Sequence, residues 1–242
     1  MDSKHKEHNL LTTDGNVLKL VFLSSYGLSL ITLITFVFAM VAVPISGANA
    51  PNGGILYPYL ETIERYPRDY IWQYLAMFMI CIYFINIIFL KTIVNREKQI
   101  FIQIASSFAL IATTTLLINY YVQVNVVPIS LMNQEYEGIA LITQYNPHGL
   151  FIALEELGYI MMVISFGFLV PVFRGEYTKT IAVIYLLAVI IAIVSFIFIS
   201  IQYALDKLDR YEVIIISTTW LVLVINGIIT GNKVRKLWKF SK

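Results

Sequence analysis

The sequence predicts an all-α integral membrane protein. The expected form is a six-transmembrane-helix bundle, with both termini in the cytoplasm and two longer extracytoplasmic loops. Three observations carry that prediction. Of 242 residues, 58% are hydrophobic and only 13% charged, and the mean hydropathy is +0.75. Stretches 21–60, 70–90, 99–134, 138–154, 157–173, 180–205 and 213–232 contain no Asp, Glu, Lys or Arg. Several hold apolar blocks of the roughly 20 residues that a bilayer-crossing helix needs. Their length and lack of alternation exclude a transmembrane barrel. Finally, under six-span threading, thirteen of the seventeen Lys and Arg fall on the side of the termini, as the positive-inside rule requires.

Residues 1–19 are polar and mixed in charge and read as a cytoplasmic tail. The first span is placed at 21–43, ending before Pro44. Ala48-Asn49-Ala50 has the form of a signal-peptidase site, but the preceding apolar run exceeds the usual 7–15 residues of a signal core. Gly and Pro punctuate the loop 44–69, and Leu60 to Tyr66 reads as a short amphipathic helix. Asp69 is the expected cap of the second span, 70–90, whose Tyr70, Trp72 and Tyr74 suit an interfacial belt. A basic turn, 91–98, leads to the third span, 100–122, which contains Asn119. In the second long loop, 123–146, the apolar piece 138–145 is too short to cross; it lies on the surface or re-enters.

The fourth span, 150–173, carries the adjacent carboxylates Glu155 and Glu156. Asn146 is the expected N-cap and Pro147 suits the first helical position. Glu155 then lies about 12 Å along the helix from Pro147, at bilayer depth. A charge there costs at least about 2.5–3.5 kcal/mol, so the pair needs partners, water or protons. Neighbours on a helix point about 100° apart and do not share one narrow face. Glu156 falls on a small-residue stripe with Gly149, Ala153 and Gly167, suited to close packing. Tyr159, at i+4, is placed to donate to Glu155. Spans at 181–205 and 213–230 and a basic cytoplasmic tail, 231–242, complete a single membrane domain, 1–242.

The ligand- or proton-binding candidates are Glu155, Glu156, Tyr159, His148, Arg65, Arg68 and Asn119. Arg65 and Arg68 are the nearest loop cations for the two glutamates, and His148 is an outward-facing titratable group. Eleven of the sixteen tyrosines fall at the outer side, lining a ligand cup or forming an interfacial belt. The lone Cys81 excludes a disulfide framework, a CxxC motif and a cysteine zinc site. The glutamate pair also lacks the arginine four positions on that CAAX-type intramembrane proteases carry; that position is Ile160. No span holds a lysine for retinal, and three histidines are too few for bis-histidine haem. No cofactor or metal is expected. The thin band of basic residues argues for membrane orientation rather than nucleic acid. The expected partners are the lipid bilayer and either a small-molecule ligand or a membrane protein. The sequence favours a small-solute transporter or permease of the plasma membrane. A sensor or partner-binding subunit is the alternative, and a membrane enzyme using the glutamates is the third reading.

Overall fold

The computed structural model describes residues 15–42, 55–175, 178–205 and 207–240. The tail up to residue 14, the Ala48–Ala50 site and Lys242 lie outside these. The described residues are helical throughout, without strands. Six helices are long and apolar enough to span a membrane. The long ones are α1 (Gly15–Val41), α2 (Ile71–Ile93), α3 (Gln99–Asn125), then after two short helices α4 (Val127–Met132) and α5 (Ile139–Ile142), α6 (Leu150–Val172), α7 (Lys179–Tyr203) and α8 (Leu208–Phe240).

The long helices close a ring in chain order. Each of α1, α2 and α3 packs on the next, α3 packs on α6, α6 on α7, α7 on α8, and α8 returns to α1. A further contact joins α6 to α8 across the ring. The fourth span is thus the inner helix, with thirteen buried residues.

Without water, the polar side chains inside a span must be satisfied by protein. On α1 the buried face reads Leu18, Val21, Ser25, Leu28, Ser29, Thr32 and Thr35, while Leu20, Leu23, Leu30 and Leu33 are exposed. The polar residues face inward and the leucines outward, the reverse of a water-soluble helix. The hydroxyls of Ser25, Thr32 and Thr35 each donate to the carbonyl one turn back, at 2.7 Å. Small residues then let the helices approach. A Cβ on Gly227 of α8 would lie 2.1 Å from Ser29 Oγ and 2.7 Å from the Ser25 carbonyl oxygen. Ser29 Oγ itself donates to the Val224 carbonyl at 2.9 Å.

Three expected local details are corrected. Asn146 does not cap α6: its Oδ1 accepts the His148 N–H at 2.9 Å, which closes a separate turn, and the helix starts after Gly149. Pro147 accordingly lies in that turn rather than at the first helical position. Asp69 does not cap α2 but sits in a 3-10 turn, Arg68–Tyr70. The short helix expected before Pro67 is present as a 3-10 helix, Leu60–Arg65. The piece 138–145 contains α5, whose Ile139 packs with Val127 and Leu131 of α4 and with Leu60 and Ile63. At the opposite end, Lys98 Nζ donates to the Val172 carbonyl at 2.7 Å and caps α6, as a cation suits a helix C-terminus.

Candidate functional site

Glu155 projects into the ring and is 2% exposed. The Tyr120 hydroxyl, from α3, donates to its Oε1. Tyr120 and Tyr159 hydroxyls lie 3.1 Å apart, and Trp220 Nε1, from α8, donates to Tyr159 Oη at 2.7 Å. The direction of this chain follows from its ends. An indole N–H only donates, and the Tyr120 proton is used on the carboxylate. Tyr159 therefore gives its own proton to Tyr120. Donors run from Trp220 through Tyr159 and Tyr120 to Glu155. Trp72 of α2 stands edge-on to Tyr120, with ring centroids 5.5 Å apart, and walls the chain.

The Glu155 carboxyl also faces that of Glu212 on α8. Ionised carboxylates only accept, so a hydrogen bond between these two acids requires a proton on one of them. Three of the ring's helices thus meet at one acid pair. Glu212 is buried at 8% exposure.

Glu156, also buried, turns the other way. Its field acts on Lys207, in the turn between α7 and α8, and on Tyr211 of α8. Among the described residues its Oε2 has no hydrogen-bond partner. The remaining candidates are dispersed. Tyr159 joins Glu155 through Tyr120 rather than directly. Asn119 Nδ2 donates to the Phe151 carbonyl at 3.0 Å and fixes α3 against the start of α6. His148 is exposed in the turn before α6.

Arg65 and Arg68 pair not with the glutamates but with Asp69. Arg68 Nε lies 2.6 Å from its Oδ1, and Arg65 3.7 Å from its Oδ2. Asp69 is the clasp of the long-loop end. It accepts the Tyr145 hydroxyl at 2.7 Å, and its backbone carbonyl receives Gln144 Nε2 at 3.4 Å. Gln73 donates to Gln144 at 2.6 Å. Burial first, then the hydrogen bond to Asp69, pushes the Tyr145 phenol well above its ordinary value.

Of the eleven outer tyrosines, Tyr57, Tyr66, Tyr74, Tyr121, Tyr136 and Tyr203 are exposed, Tyr59 is half-buried, and Tyr70, Tyr120, Tyr145 and Tyr211 are buried.

Sequence reasoning missed Glu212, Tyr120 and Trp220 as site residues. Glu212 follows Asp206, Lys207, Asp209 and Arg210 and reads as part of a solvated turn. Its available signal was spacing, since Trp220 lies eight positions on, two turns along the same face.

The fold and the buried polar site define a multi-pass membrane protein of six spans. No family model, curated protein or solved structure matches the chain.

Proposed function

We propose that the chain is a small proton-coupled permease of the plasma membrane. One observation carries the reading: the acid pair Glu155–Glu212, fed by oriented donors, in the interior of a spanning ring. Intramembrane ionisable groups that face a bundle interior mark proton relays and ion pathways. The pair straddles α6 and α8, so loss of its proton places two like charges in hydrogen-bond range and drives these helices apart. Gain of the proton draws them together. That is a coupling between protonation and helix position, which a carrier needs. The groups facing Glu155 are Tyr120 from α3, Tyr159 on α6 and Glu212 on α8, with Trp220 of α8 one step back.

Infrared pH-difference spectroscopy on the protein in proteoliposomes tests the site, and a trapped pH dye tests flux. The wild type is expected to show a protonated-carboxyl band at neutral pH that both Glu155→Gln and Glu212→Gln remove. Dye-reported proton movement, driven by an imposed solute gradient from a panel of small solutes, is expected to disappear with the band. A band unchanged in both variants contradicts the acid pair. A band that behaves as expected, without flux for any solute, turns the reading to a membrane sensor or partner-binding subunit.

A further inference from the structure

We infer that the groove between α6 and α7 is a binding site for one acyl chain of a phospholipid whose headgroup carries a primary amine. The inference uses Glu156, not the acid pair, and stands independently of the permease reading.

A cavity of about 580 Å³ opens between these helices, lined from α6 by Ile160, Val163 and Gly167, from α7 by Val189 and Phe196, and at its α8 edge by Tyr211. That volume falls within the range of roughly 300–1,000 Å³ typical of ligand pockets. The lining is mostly apolar and lies within three spanning segments, so its natural occupant is hydrocarbon. Gly167 keeps it open: a Cβ there would meet only Val189 Cγ2, at 3.7 Å.

The headgroup end is chemically distinct. Glu156, Ile160, Val163 and Gly167 follow one another at helical spacing on one face, so Glu156 stands one turn beyond the lining. Tyr211, which lines the groove, feels its charge. Among the described residues the buried Oε2 atom has no donor, and a buried acceptor left unmade is costly. Something with N–H or O–H groups belongs there. The charge of Lys207 acts on Glu156, and two cations at this end lie over aromatic rings. Lys207 Nζ is 4.7 Å from the centre of Phe196, itself a groove residue, and the Arg210 guanidinium is 4.1 Å from that of Tyr203. An acceptor beside cations, at the mouth of an apolar groove, complements a zwitterion with a tail. The ammonium donates to Glu156, the phosphate faces Lys207, and the chain fills the groove.

The test is lipid retention by the detergent-solubilised full chain, read by native mass spectrometry. Phosphatidylethanolamine, phosphatidylcholine and phosphatidylglycerol of identical chains are offered in turn. The trimethylated choline lacks N–H donors and the glycerol headgroup lacks an amine. One phosphatidylethanolamine per chain is expected, preferred over the other two by about tenfold. Glu156→Gln should bring the three within about twofold of one another. Gly167→Leu and, separately, Ile164→Trp should abolish retention of all three by filling the groove. Equal retention of the three lipids by the wild type overturns the inference. So does a preference for phosphatidylglycerol, a preference surviving in Glu156→Gln, or retention unchanged in both groove-filling variants.

Discussion

Glu155 and Glu156 are neighbours in sequence, both buried, and in different surroundings. Glu155 has its donor supplied by the protein, a tyrosine hydroxyl, and faces a second carboxyl. Glu156 has a buried oxygen with no donor among the described residues. Their exposures, 2% and 6%, do not separate them; their partners do. The step of about 100° between successive residues turns one toward the ring interior and the other toward Lys207 and Tyr211. A buried charge is therefore best classified by who satisfies it. The self-sufficient one is a candidate for internal chemistry, and the unsatisfied one points to something the chain does not contain.

Breaking the interior side should have the largest effect. Trp220→Ala removes a buried indole and the N–H that donates to the Tyr159 hydroxyl. The expected loss is about 3–5 kcal/mol, visible as a much lower thermal midpoint in detergent. Tyr120→Phe keeps the ring but leaves Glu155 Oε1 without its donor, at a cost of about 1–3 kcal/mol. A double-mutant cycle sharpens the contrast. Glu155→Gln with Glu212→Gln should show a coupling of about 0.5–3 kcal/mol, whereas Glu156→Gln with Glu212→Gln should add within about 0.5 kcal/mol. Glu156→Gln alone should shift stability by less than about 0.5 kcal/mol, because it breaks no internal hydrogen bond of Oε2.

Asp69 extends the comparison to the loops, as a buried carboxylate fully served by Arg65, Arg68 and Tyr145. The sign of its pH effect follows from Tyr145. The folded phenol holds its proton above the ordinary value of about 10. Its stabilisation is complete below that pH and is lost as pH rises beyond it, where the unfolded chain ionises first. Melting curves should therefore fall above about pH 10, and Tyr145→Phe should make that fall shallower.

The six spans were legible because long uncharged runs have few ways to fold in a bilayer, and each expected span overlaps a helix. Their ends were less so. α8 runs to Phe240, well beyond Thr230, because Lys and Arg are good helix formers once a helix is under way. The start of α6 misled for a different reason. Asn146 and Pro147 suit a cap, but Asn146 spends its side chain on the His148 amide, and Gly149 takes the boundary. Gly149 has its own constraint, since a Cβ there would come within 2.9 Å of the Leu141 carbonyl oxygen. Glu155 and Glu156 stood out because nothing around them is charged. Glu212 did not, because charged neighbours in sequence conceal a side chain that folding turns inward. Pairing between α6 and α8 is a long-range fact that a single sequence does not display.

The unbroken course of α8 has a mechanical consequence. Glu212 sits near one end, and Trp238, stacked on Phe22 at 5.4 Å, lies about 39 Å further along. Between them, Gly227 presses on Ser29 with no room for a methyl group. A stiff rod held at mid-length is a lever, and its fulcrum is that glycine. A small outward tilt at the acid pair swings the basic end the opposite way, so the two faces of the membrane are geared together by one helix.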